Sequence, residues 1–100
     1  GFLMNVQELE TSLRVGLPVV ILVMRDDCFG LIKRVQENRF GDSIAVALQN
    51  PDLPQMAEAF GARGVRVRDT QDLEGALDVA VRSQETYVID VPVTYEYWLR

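Results

Sequence analysis

Apolar residues follow two rhythms along this chain, one of helical and one of strand period. Between Asn5 and Val15, the residues Val6, Leu9 and Leu13 recur at three- and four-residue intervals and predict an amphipathic helix. Asn5 is placed to cap it, with Glu8 three residues on as the reciprocal partner of a capping box, and Gly16 stops it. Pro18 through Met24 differs. It is a continuous, β-branched run without polar alternation, the pattern of a strand covered on both faces inside a parallel sheet. Leu31, Ile32 and Val35 then predict a short helix from Phe29 to Gln36, and Glu37 to Asp42 reads as a polar loop.

Ile44 to Leu48 reads as a short strand, although its alanines are poor strand formers. Asn50 to Pro54 is a turn feeding a helix capped by Asp52, with Leu53, Met56, Ala57 and Phe60 inward and Gly61 at its end. Gly64 to Arg68 alternates valine with arginine, as a strand near a sheet edge does. Asp69 or Thr70 caps a helix carrying Leu73, Ala76, Leu77, Ala80 and Val81 on one stripe, and Tyr87 to Val91 is the last strand, closed by Pro92. Helices alternating with buried strands predict an α/β domain, a partial parallel sheet with flanking helices and right-handed crossovers.

Composition narrows the partners. One hundred residues without linker, repeat or low-complexity tract make residues 1–100 a single domain. Fifteen acidic against ten basic residues give a net charge of −5, which argues against nucleic acid. There is no histidine, so imidazole catalysis and imidazole metal ligation are excluded for this chain. The single cysteine, Cys28, rules out an internal disulfide and a thiolate zinc cluster and suits a reducing, cytoplasmic setting. The apolar run from Leu17 to Met24 is far shorter than the roughly 20 residues of a membrane span, so no membrane partner is expected. Gly1-Phe2-Leu3-Met4 lacks the basic lead-in of a signal peptide and reads as a cut end.

The best candidate chemistry is Asp26-Asp27, just past the carboxyl end of a buried strand, the rim where open α/β sheets bind ligands. Hard oxygen donors there suit Mg²⁺ or Ca²⁺. The competing reading is a solvated turn with Arg25 as ion-pair partner. The amino end of the Asn5 helix offers amides and a dipole to an anion such as a diphosphate, against the plainer reading of an ordinary capped helix. Cys28 has no histidine to activate it, and the adjacent carboxylates raise its pKa, which excludes a nucleophile. Tyr95, Tyr97 and Trp98 fit a covered sheet edge or a subunit contact, and Arg63, Arg66 and Arg68 a solvated face.

Several separated stretches, in order, carry a resemblance. They are Gly1 to Thr11, Gly16-Leu17-Pro18 with the run after it, and Arg25 to Lys33, then Asn50-Pro51-Asp52-Leu53, Ala57 to Gly61 and Val88 to Val93. Together they resemble the carboxyl-terminal, diphosphate-binding domain of thiamine-diphosphate-dependent enzymes, in the acetolactate synthase, pyruvate oxidase and benzoylformate decarboxylase group. The resemblance implies thiamine diphosphate and Mg²⁺ as cofactors. It places Asp26 at the metal-binding asparagine and Cys28 at the backbone-carbonyl donor, with Gly30, Leu31 and Ile32 against the diphosphate and thiazolium. The family's Asn-Asp-Asn or Asn-Asn-Gly stretch is Arg25-Asp26-Asp27 here, which puts a carboxylate at the ligand position and a positive charge beside it.

The family's Gly-Asp-Gly motif, which supplies the first metal ligand, would lie just ahead of Gly1. The cofactor-activating glutamate would lie on the pyrimidine-binding domain of a full-length parent. The expectation is thus a fragment of the cofactor-binding domain of an acetolactate synthase-like lyase or carboligase acting on 2-oxo acids, holding at most half of a cofactor site and not catalytic by itself. A sheet without its first strands exposes an edge that favours a homodimer or higher oligomer. The alternative function is a stand-alone α/β interaction module that dimerises and no longer binds cofactor.

Overall fold

The computed structural model describes residues 1–94; Tyr95, Tyr97 and Trp98, read above as an aromatic cluster, lie outside the described residues. Helices α1 (Glu8–Val15), α2 (Gly30–Phe40), α3 (Leu53–Ala59) and α4 (Thr70–Ser83) alternate with strands β1 (Val20–Arg25), β2 (Arg63–Arg66) and β3 (Tyr87–Pro92). The strands form one parallel sheet in the order β1-β3-β2, in register from Val20 opposite Tyr87 to Arg25 opposite Pro92 and from Arg63 opposite Tyr87 to Arg66 opposite Asp90. The expected α/β class with a partial parallel sheet is the observed one.

Side chains alternate across this sheet as the two-residue strand period requires. On one face, Val88, Ile21 and Val23 pack with Leu9 of α1, Ala57 of α3 and Ala62. On the other, Ile89, Val91, Val20 and Val65 pack under Leu73, Ala76, Leu77 and Ala80 of α4. β3 lies between both layers, and Val88, Ile89 and Asp90 are fully buried.

Four expectations are corrected. β1, read as covered on both faces, is an edge of the described sheet, with Leu22 39% and Met24 58% exposed. A β-branched run specifies a strand, but its coverage depends on which neighbours the topology provides. Asn5 does not cap a helix. It ends a 3-10 turn over Phe2–Asn5, and Val6 and Gln7 continue in helical conformation into α1, so no capping box with Glu8 forms. The segment read as a loop from Glu37 is helical to Phe40 and stops at Gly41, whose φ of 77° suits glycine. Gln36, Glu37 and Arg39 are good helix formers, and Lys33 and Glu37 pair one turn apart, so polarity there marks a solvated helix. Ile44 to Leu48 forms no strand; Ala47 makes an isolated antiparallel bridge to Cys28.

Three helix ends hold, while the strand read over Gly64 to Arg68 is Arg63–Arg66. Asp52 accepts a hydrogen bond from the Gln55 amide at 3.0 Å, and Asp69 accepts one from Asp72 at 2.8 Å, so both are true caps. Gly16 ends α1 in the left-handed region. Among the described residues, no helix is long and apolar enough to cross a membrane.

Candidate functional site at the carboxyl rim of the sheet

β1 delivers Arg25 to the carboxyl rim, and the chain then turns through Asp26, Asp27 and Cys28 before α2 begins. Asp27 takes a left-handed conformation, φ 55°, which aspartate tolerates better than most residues. The Cys28 amide donates to Asp26 Oδ1 at 3.3 Å, closing a local turn. Two backbone hydrogen bonds of 2.8 Å pin this turn to the next loop: Phe29 N–H donates to Val46 and Leu48 N–H donates to Asp27.

Arg25 does not leave its charge beside Asp26. Its Nε donates to Asp90 Oδ1 at 2.8 Å and its Nη1 to Asp27 Oδ2 at 2.5 Å. Asp27 also accepts from Asn50 Nδ2 at 2.8 Å. Asp90, fully buried, receives a second guanidinium on Oδ2 from Arg66 Nε at 2.7 Å. Two charge-assisted bonds offset the desolvation of that carboxylate, which alone would cost several kcal/mol. Arg66 reaches on to Asp52 at 3.8 Å, and Arg25, Asn50, Pro51, Asp52 and Arg66 line a cavity of about 270 Å³. The hydrogen bond to Asp90 holds the Arg25 guanidinium above its ordinary pKa, with the nearby Asp27 adding to the effect.

Of the two aspartates, then, Asp27 is the structural one, and it satisfies the solvated-turn reading with Arg25 as partner. Asp26 has no cationic partner among the described residues, and its hydrogen bond is the weak one to Cys28. The Cys28 carbonyl accepts no hydrogen bond from a described residue, and the Asp26 carboxylate accepts only the Cys28 amide. The thiol of Cys28 is pushed up in pKa by burial and then by Asp26, the opposite of an activated nucleophile.

At the start of α2, Phe29 provides no side-chain cap, and the amides of Gly30, Leu31 and Ile32 precede the first intrahelical donor, Lys33. Unpaired amides at an eleven-residue helix suit an anion. Asp26, Cys28, Gly30, Leu31 and Ile32 are thus contiguous on one rim. Asn5 stands apart from them in sequence. The first helical segment carries Phe2 and Val6 onto the cluster holding Ile21 and Val23, while Ser12 hydrogen-bonds Thr86 at the amino end of β3. Asn5, near the start of this segment, is exposed, and no hydrogen bond joins it to the Asp26 turn. Among the described residues, no three His, Cys, Asp or Glu side chains gather to hold a metal by themselves.

Reading the sequence missed Asp90, Arg66 and Asn50. The signal was an aspartate inside the apolar run Val88-Ile89-Asp90-Val91, since a charge there must find a partner. Arg66, read as part of a solvated face, is that partner; the correction follows from its alternation onto the same sheet face as Asp90.

The family profile for "Thiamine pyrophosphate enzyme, C-terminal TPP binding domain" matches residues 1–91. The chain belongs to this family. An acetolactate synthase of Bacillus subtilis is 35% identical over 95 residues, covering 95% of this chain and 17% of that protein. The acetolactate synthase isozyme 2 large subunit of Escherichia coli is 33% identical over 95 residues, covering 93% of this chain and 17% of that protein. The acetolactate synthase large subunit of Parasynechococcus marenigrum is 33% identical over 96 residues, covering 93% and 16%. The chain spans about a sixth of the length of the curated relatives it matches.

Proposed function

We propose that this chain forms one wall of a Mg²⁺ and thiamine-diphosphate site in an acetolactate synthase-like lyase or carboligase acting on 2-oxo acids. The observation that carries the reading is the division of labour at the rim: Arg25 is engaged by Asp90 and Asp27, leaving the Asp26 carboxylate and the Cys28 carbonyl as adjacent hard-oxygen donors. The amides of Gly30, Leu31 and Ile32 lie within a few residues of that pair and suit the diphosphate. Bound thiamine diphosphate would supply the carbon nucleophile and electron sink. This chain's residues would hold the metal, orient the diphosphate and exclude water. Further metal ligands and the pyrimidine-binding domain would come from outside these residues, so catalysis by this chain alone is not expected.

Isothermal titration of the chain with Mg²⁺ plus thiamine diphosphate tests this. The expected result is Mg²⁺-dependent binding at millimolar affinity or tighter that Asp26→Ala abolishes and Asp27→Ala weakens less. Binding indifferent to Asp26→Ala removes the reading.

A second reading, an interaction module that self-associates without cofactor, is favoured by the apolar surface of α2 and its flanks. Leu31 is 77%, Phe40 72% and Ile44 79% exposed, and α2 buries no residue. Sedimentation equilibrium showing a dimer, together with no heat on the titration above, selects this reading over the first.

A further inference from the structure

We infer that Asp90 is a positioning residue for the Asp26 turn, acting through Arg25; the inference rests on the cofactor reading above for its functional meaning but not for its geometry. Asp90 sits in the middle of the central strand, fully buried, opposite Val23 of β1 and Arg66 of β2. Its two oxygens receive one guanidinium from each neighbouring strand, at 2.8 Å from Arg25 and 2.7 Å from Arg66. Both arginines are thereby tied to the buried middle of the central strand.

The arms differ in what lies beyond them. Arg66 continues to Asp52, the cap of α3. Arg25 continues to Asp27, inside the turn that presents Asp26 and Cys28. A guanidinium is planar and its donors are fixed relative to one another, so anchoring Nε on Asp90 fixes where Nη1 meets Asp27. The arrangement has a second effect. Arg25 and Asp26 are adjacent in sequence, and a released Arg25 would be a ready partner for the Asp26 carboxylate. Held on Asp90 and Asp27, it cannot compete with a metal for that carboxylate.

No buried side-chain nitrogen or oxygen among the described residues lacks a partner, so this network is closed as it stands. Removing either arm leaves a buried oxygen of Asp90 short of its partner and lowers overall stability, but only the Arg25 arm reaches the Asp26 turn.

Native-state amide hydrogen exchange on the full chain, without Mg²⁺ or cofactor, separates positioning from plain stability. Phe29 and Leu48 carry the rim amides that pin the turn, and Val88 and Ile89 report the core. In Arg25→Gln the exchange of Phe29 and Leu48 should rise about tenfold more than that of the core amides, as a local opening does. Arg25→Lys keeps the charge without the two-pronged geometry and should loosen the same amides. Arg66→Gln should lower overall stability yet leave the rim-to-core ratio within about twofold. Asp90→Asn, where it folds, should match Arg25→Gln, and the double variant should add nothing further at the rim. Rim amides that keep their protection relative to the core in Arg25→Gln, or that open equally in Arg66→Gln, overturn the inference. Loosening of the rim in a protein that never binds Mg²⁺ with thiamine diphosphate upholds the positioning role and discards the cofactor reading.

Discussion

Gly64 of β2 lies directly against Pro54 of α3: a Cβ at position 64 would come within 2.5 Å of both the Cα and the carbonyl oxygen of Pro54. Both atoms belong to backbone, so no side chain can rotate away. Gly64→Ala should force α3 off the sheet and lower stability by about 1–3 kcal/mol, the range for overpacking. Urea denaturation checks this, and an unchanged midpoint would mean that α3 shifts freely. Gly75 of α4 meets nothing within 4 Å, and Gly75→Ala should instead stabilise modestly through helix propensity.

Ser12 and Thr86 share a hydrogen bond of 2.6 Å that ties α1 to the amino end of β3. Thr86 is buried, so Ser12→Ala strands its hydroxyl and should cost about 1–2 kcal/mol. Thr86→Val should also destabilise. The double variant should cost less than the sum, because one unsatisfied partner is removed with the other. Strict additivity in chemical denaturation would deny the bond.

Asp52 and Asp69 each accept the amide three residues on, whereas Asn5 makes no such bond. Asp52→Ala and Asp69→Ala should each lower stability by about 0.5–2 kcal/mol, as lost caps do. Asn5→Ala should leave the thermal midpoint nearly unchanged. A large loss at Asn5 would restore the capping box that the backbone conformation rejects.

Burial, then Asp26, raises the Cys28 thiol pKa. The folded chain therefore keeps this proton to higher pH than the unfolded chain does. The associated stability is present below the ordinary thiol value of about 8.5 and is lost as pH rises through the shifted one. The maleimide reaction rate against pH should show a midpoint alkaline of that ordinary value, and Asp26→Asn should bring it part of the way back. An acidic midpoint would mean the thiolate is stabilised, contrary to this environment.

The elements with strong local signals were legible: the caps at Asp52 and Asp69, the α4 stripe of Leu73, Ala76, Leu77 and Ala80 (though not Val81, which is exposed) and the strand at Tyr87 follow from side-chain chemistry within a few residues. What escaped depends on distant neighbours. The run from Pro18 to Met24 states that a strand forms but not that it lies at an edge, a matter of where β3 inserts. The polar residues after Gln36 continue a helix because exposed α2 needs little apolar face. At the site, Asp26, Cys28 and Gly30 could be read as neighbours because they are near in sequence. The tie between Arg25 and Asp90 joins neighbouring strands far apart in sequence and emerges only from strand order and register.

Of the three described strands, the middle one comes last in sequence. A nascent chain leaving the ribosome carries β1 and β2 long before β3 exists, and neither can pair with the other because β3 lies between them. Val20 and Arg63 both wait for Tyr87, which makes the sheet a product of late, long-range closure. Until then the valines and isoleucine of β1 are open to chaperones or to other chains. A break in the chain ahead of Tyr87 would thus leave β1 and β2 without the strand that joins them.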